Sequence, residues 1–226
     1  MIFEVLRRRI LQIEEAKEEN SGASKRPDLR TGNIMVSKGV RTNSTKRIGA
    51  VPGVEVGDIF FFRMELCVVG LHAQSMGGIH YTSIKISQEE EPLATSIVSS
   101  GGYEDNVEDA DMLIDTGQGG VSSRDKQVKD QKLERGNLAL EKSLHRGNGV
   151  RVIRGLNDIT NPKGKLYVYD GLYKIQDSWV EKGKSGANVF SINCSGYPVS
   201  RKHIQHEKNS AMDPKRVYLK SKGYIA

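Results

Sequence analysis

Residues 165–180 read KLYVYDGLYKIQDSWV. Leu166, Val168, Leu172 and Ile175, with the aromatic Tyr167, Tyr169, Tyr173 and Trp179, are strand-forming side chains on either side of Asp170-Gly171. An Asp-Gly pair between two alternating apolar runs predicts a β-hairpin, because both central residues of its tight turn need φ above zero. Working upstream, VRVIRG (150–155) is a strand with Val150, Val152 and Arg154 pointing one way. QKLERGNLALEKSLH (131–145) carries Leu133, Leu138, Leu140 and Leu144 and predicts a helix, weakened in its first half by Gly136 and Asn137. Working downstream, GANVFSI (186–192) is a last strand.

The same logic extends to the earlier half. GDIFFFRMELCVVGLH (57–72) is rich in strand formers and is predicted extended. LATSIVSS (93–100) is a short strand closed by Gly101-Gly102, and DMLIDTGQGG (111–120) ends a strand in a glycine-rich turn. Several short strands, Gly-rich turns and one or two helices predict an α+β fold: a twisted β-barrel with peripheral helices. Residues 2–19 form a further amphipathic helix, with Phe3, Leu6, Ile10 and Ile13 at three- and four-residue spacing. One such helix cannot bury its stripe alone, so it packs on the domain or on a partner. Residues 20–47 are polar and basic and read as a linker.

The 226 residues carry a net charge of +6, unevenly spread. Residues 21–50 hold seven Lys/Arg against one Asp, and residues 51–120 hold two against twelve Asp/Glu. Residues 121–190 hold fourteen against eight, and residues 191–226 seven against two. Basic segments attract polyanions by releasing counterions from a phosphate backbone. No run reaches the roughly 18 apolar residues of a membrane span. The N-terminus, broken by arginines and then glutamates, is neither a signal nor a transit peptide. Cys67 and Cys194 are expected as buried or free thiols of a reducing compartment. His203 and His206 lack the further ligands a metal needs. No nucleophile–base pair, P-loop or dinucleotide fingerprint is present, so neither a metal nor a cofactor is expected.

Four runs carry a resemblance: residues 47–72, residues 93–120, DQKLERGNLALEKSL (130–144), and residues 150–190 around Tyr169-Asp170-Gly171. In this order and spacing they resemble the SRA-YDG domain of plant histone methyltransferases of the Su(var) homologue family. The resemblance implies an SRA/PUA-like barrel over residues 47–190, after a helix (1–19) and a basic linker (20–46). Residues 191–226 no longer follow the family and read as a flexible tail. The family's cysteine-rich and SET catalytic domains have no counterpart here, so the chain is expected to be no enzyme.

The resemblance also implies a mechanism: a modified cytosine is flipped out of double-stranded DNA into a pocket. Tyr103 is implied to stack on the base. Asp105, followed by Asn106, is implied to accept the cytosine amino hydrogen, which selects cytosine over thymine, whose O4 is itself an acceptor. Gly101 and Gly102 let backbone approach the base, Thr116 meets its edge, and Gly117, Gly119 and Gly120 shape the following turn. Two positions depart from the family: Asp115 stands where a second pocket tyrosine is usual, and His80 stands where aspartate is common. HAQSMGG (72–78) occupies the place of the thumb loop, with Ser75 beside Met76, the candidate wedge. Arg124, Lys126, Lys129, Arg151 and Arg154 are candidate phosphate contacts. Three functions remain open at this point: a methylcytosine reader in the nucleus, a DNA binder with little methyl preference because of Asp115, and a fragment that binds chromatin proteins through its N-terminal helix.

Overall fold

A computed structural model describes residues 2–17, 26–86, 89–99, 112–120, 128–158, 164–183 and 185–196. The helices are α1 (Ile2–Lys17), α2 (Pro27–Ser37), α3 (Arg63–Val69) and α4 (Arg135–Arg146). The strands are β1 (Ile59–Phe60), β2 (Ile79–Ile86), β3 (Glu89–Ser99), β4 (Met112–Thr116), β5 (Val150–Asn157), β6 (Lys165–Lys182) and β7 (Asn188–Gly196). All seven join one sheet in the order β2-β3-β5-β6-β7-β4, with β1 on β6. The pairing is antiparallel except between β3 and β5. The α+β class expected from the sequence holds, with helices on both faces of the sheet.

The predicted hairpin at Asp170-Gly171 is absent. β6 runs unbroken through it, and the pair forms a bulge: Val152 faces Gly171 but Ile153 faces Tyr169, leaving Asp170 as the extra residue. Gly171 has φ +120, a conformation that other residues rarely adopt. One extra residue flips every later side chain to the opposite face. Tyr169 therefore packs with Val51, Leu66, Leu71, Val98 and Ile153 on one face. Tyr173 and Ile175 pack with Val150, Val152, Leu140 and Ile192 on the other. A turn signal became a face switch because β5 pairs with β6 on both sides of it, while β1 before it and β7 after it hold the opposite edge.

Residues 57–72 also differ from the expected strand. Only Ile59–Phe60 pair in the sheet, and Arg63–Val69 form α3. The Glu65 carboxylate accepts the N–H groups of Phe61 (2.7 Å) and Phe62 (3.0 Å), which caps the helix start. Gly70, at φ +77, ends it. Its apolar residues are buried toward two layers: Leu66 on the sheet, and Met64, Cys67 and Val68 against Phe3 and Met35. A helix apolar on both sides has no clear period to distinguish it from a strand.

The segment read as a linker contains α2, which packs between α1 and α3. α1 thus buries Phe3 within the chain, with its ring 5.8 Å from Phe62 and Arg7 lying 4.7 Å over the same ring. Residues 191–196, read as tail, belong to β7 and bury Ser191, Ile192 and Cys194. Cys67 and Cys194 are free and buried. Among the described residues no helix is long and apolar enough to cross a membrane.

Candidate nucleic-acid interface

The loop from His72 to Gly78 is held by three side chains beneath it. His72 is buried, its Nε2 donating to Gly77 O at 2.9 Å and its Nδ1 accepting from Ser96 Oγ at 2.9 Å. The Gly77 carbonyl requires a proton on Nε2, and the Ser96 hydroxyl serves as donor to Nδ1 when the ring is neutral. Burial, reinforced by the nearby Arg63 charge, lowers the His72 pKa to about 3. Arg63 donates to the carbonyls of Gln74 and Gly77 and lies over the Tyr167 ring. Arg151 donates to Leu71 O at 3.0 Å, at the loop's root. Gln74 folds over Gly77 so closely that a Cβ there would lie 1.8 Å from its Oε1. Met76 stands on this base with 77% of its surface exposed, and Ser75 beside it is half-buried. Sequence reasoning did not find Arg63 or His72. The signal available was a lone arginine inside an otherwise apolar run.

At the other end of the sheet, β4 delivers Asp115 and Thr116, which pair with Ile192 and Ser191 of β7. The turn that follows is clamped by α4. Asn137, 1% exposed, accepts the Gln118 N–H at 2.9 Å and donates to Gln118 O and Lys132 O. Gln131 donates to Gly117 O at 2.9 Å and accepts from Phe190 N–H at 3.0 Å. A Cβ on Gly117 would lie 2.6 Å from Asn137 Oδ1, and one on Gly136 would lie 2.5 Å from Gln118 Nε2. Gly136 and Asn137 are therefore poor helix formers placed where α4 must grip the turn. Lys129 donates its backbone N–H to Gly120 O at 2.7 Å, and the residue is exposed beside the turn.

Between these ends lies a polar group on the α4-facing side of the sheet. The bulge turns Asp170 toward Arg154, and Tyr173 donates to the same carboxylate oxygen at 2.7 Å. Asp115 shares the face of Leu113. Burial raises its pKa to about 6, against smaller opposing effects of the Thr116 N–H and the Arg154 charge. In a flat sheet β5 and β4, three strand spacings apart, would be about 14 Å from each other. A Cβ on Gly136 of α4 would lie 2.5 Å from Gln118, just after β4, and 3.1 Å from Ile79 of β2, so the two edge strands both curl toward α4. Cys194, paired opposite Leu113, has its thiol pKa pushed up to about 12 by burial and then by the Asp115 charge.

Of the residues expected at the site, Ser75 and Met76 share the braced loop, and Asp115, Thr116 and Lys129 gather at the end of β4. Gly101, Gly102, Tyr103, Asp105, Asn106, Arg124 and Lys126 lie outside the described residues. Arg151 is a correction: it is 1% exposed and its guanidinium donates to Leu71 O, Arg47 O and Gly49 O, so it holds the scaffold and does not face a phosphate. Its position one residue out of phase with Val150 and Val152 puts it on the opposite face, beneath the N-terminal segment. Arg154 is largely buried and ion-paired with Asp170. His80 is buried too, its Nδ1 bonded to Thr95 Oγ1 at 2.9 Å.

An α+β sheet scaffold with a braced loop at one margin and a clamped glycine turn at another defines the class of domain. Residues 47–196 match the SAD/SRA domain model, and the chain belongs to that family. It is 64% identical over 198 residues to the H3 lysine-9 specific histone-lysine N-methyltransferase SUVH1 of Nicotiana tabacum, covering 88% of this chain and 28% of the relative. The chain thus spans less than a third of that relative's length. The crystal structure of SUVH9 superposes with a TM-score of 0.76 at 37% identity, covering 96% of this chain and 44% of that one. The SUVH5 SRA complex with fully methylated CG DNA matches with a TM-score of 0.58 at 48% identity, covering 68% of this chain and 95% of that one.

Proposed function

We propose that this chain binds double-stranded DNA and reads 5-methylcytosine by drawing the base out of the duplex, as a nuclear, chromatin-associated module that catalyses nothing itself. The observation that carries this reading is the exposed Met76 on a loop held by His72, Arg63 and Arg151. An apolar side chain on a rigid base can occupy the gap that a departing base leaves, and extrusion costs a few kcal/mol that the pocket must recover. In this reading Gly101 and Gly102 border the pocket, Tyr103 stacks on the base, Asp105 with Asn106 reads its amino group, and Thr116 meets its edge. Arg124, Lys126 and Lys129 hold phosphates. A titration with matched methylated and unmethylated duplexes at one salt concentration tests it. Tighter binding of the methylated duplex, abolished by Tyr103→Ala, is expected; equal binding of both by the folded chain refutes it.

A second reading is favoured by Asp115. Its carboxyl lies on the face of β4 that carries Leu113, at the position where the family resemblance implies a second pocket tyrosine, and stacking would contribute about 1–3 kcal/mol per base. DNA binding then persists with little methyl preference. Asp115→Tyr should raise the ratio of methylated to unmethylated affinity about tenfold; an unchanged ratio rejects this second reading. A role for α1 in binding chromatin proteins draws support from its outward Ile2, Val5 and Ile13, whereas Phe3 is buried within the chain.

A further inference from the structure

Residues 38–49 are an irregular strap laid over α3 and the root of the 72–78 loop. Val40 N donates to Met35 O at 2.8 Å and Thr42 N to Val68 O at 3.2 Å. Asn43 Nδ2 donates to Val69 O at 2.9 Å. Further along, Arg151 ties the strap to the loop, because one guanidinium bonds Arg47 O, Gly49 O and Leu71 O. Arg47 and the loop root are therefore within the reach of a single side chain. His80, whose ring is 5.8 Å from that of His72, has its pKa lowered to about 4, chiefly by burial and then by the charges of Arg151, Lys46 and Arg41. Arg41 directly precedes Thr42 and Asn43, which bond the end of α3 just before the loop, and Lys46 directly precedes Arg47, whose carbonyl Arg151 links to the loop root.

The strap carries Lys38, Arg41, Lys46 and Arg47, and has no acidic residue between Asp28 and Glu55. Lys38, Lys46 and Arg47 are exposed, and Arg41 is half-buried. Among the described residues none of the four makes an ion pair, whereas Arg7, Arg8, Arg26, Arg30, Arg146 and Arg154 all do. Arg41 Nε is buried with no hydrogen-bond partner. A buried charged donor left unpaired is costly, and an anionic oxygen is the partner that suits it.

We propose that the strap is a phosphate-binding site. Arg41, Lys46 and Arg47 grip the DNA backbone alongside the loop that carries Met76, and so position the duplex without reading its sequence. This rests on the DNA-binding reading above. The lever is electrostatic, so it acts equally on methylated and unmethylated DNA.

The test is the salt dependence of binding by the full 226-residue chain, wild type against K46Q/R47Q, on both duplexes. Both side chains are exposed, and the Arg47 carbonyl that Arg151 needs is retained. Each lost phosphate contact lowers the slope of log K against log salt by about 0.9. The double variant should flatten the slope by about 1.8, which at 0.15 M salt is about a 30-fold loss if the 1 M intercept is unchanged. The methylated-to-unmethylated ratio should not move. R8Q/R9Q removes the same charge from α1 and should leave the slope unchanged. An unaltered slope in K46Q/R47Q, a loss confined to methylated DNA, or an equal change in R8Q/R9Q overturns the proposal. If the wild-type chain binds neither duplex, the DNA-binding reading falls and the strap with it. If it binds and only the slope prediction fails, the strap alone falls.

Discussion

The 72–78 loop and the end of β4 sit at two margins of the same sheet, and each is held by side chains from distant sequence. They are held by opposite electrostatics. Beneath the loop, His72 is neutral and Arg63 and Arg151 donate hydrogen bonds to carbonyls, so these polar groups satisfy one another. At β4, neutral amides clamp the turn well, but Asp115 keeps a carboxyl on a buried face where ionisation is disfavoured. The loop margin is built for rigidity. The β4 margin has a rigid turn and an electrostatically unfavourable residue at its entrance.

Removing Arg151 should break the comparison most. Arg151→Met leaves three carbonyls of the strap and loop root without their donor, each costing about 1–3 kcal/mol, so a total loss of about 3 kcal/mol or more is expected in urea unfolding. A loss below about 1 kcal/mol would show that the loop margin does not depend on this brace.

Asp115→Asn probes the other margin. Asp115 binds its proton more tightly folded, near pH 6, than unfolded, near 3.8. The unfolded state therefore holds fewer protons over that interval, and wild-type stability falls as pH rises through it. The penalty is absent below about pH 4 and complete above about pH 6. The variant should be more stable than wild type by on the order of 1–2 kcal/mol at pH 7.5, discounting for partial exposure, with the gain vanishing near pH 4. A pH-independent difference between the two melting curves contradicts this assignment.

Ser96→Ala removes the hydroxyl that donates to His72 Nδ1 and should destabilise the chain by about 1–2 kcal/mol in the same urea assay. No change would mean that His72 is held from Gly77 alone. The smallest effect on stability belongs to Met76→Ala, within about 0.5 kcal/mol because the side chain is exposed. If Met76 is the wedge, that variant still weakens binding to the methylated duplex. Unchanged affinity removes it from the site and sharpens the contrast between a loop that is rigid and one that is used.

Much of the β structure was legible residue by residue. The strands at 93–99, 112–116, 150–155 and 188–192, the helix ending near residue 145 and the N-terminal helix follow from apolar spacing and glycine punctuation. The ends of the candidate site, Ser75-Met76 and Asp115-Thr116, came from motif resemblance, and the structure puts the first pair on the loop before β2 and the second at the end of β4. The braces did not come from either source. Arg63, Gln131 and Asn137 reach backbone groups of Gln74, Gly77, Gly117 and Gln118, and His72 reaches the Ser96 hydroxyl; no local spacing encodes such partners. Arg151 was misplaced for the same reason. A strand buried on both faces gives an arginine no polar side to point toward, so only the carbonyls above it reveal its role.

What the amino-acid sequence determined by itself is the class of fold, the family and the charge of the strap, because composition, periodicity and motif are local properties. The tertiary structure decided that Asp170-Gly171 is a bulge and not a turn, and that residues 63–69 are helix. It also decided which arginine is buried. Each depends on which strand lies alongside and in what register. Pairing is non-local: β5 and β7 decide the path of β6, and one extra residue at Asp170 sends Tyr169 and Tyr173 to opposite cores.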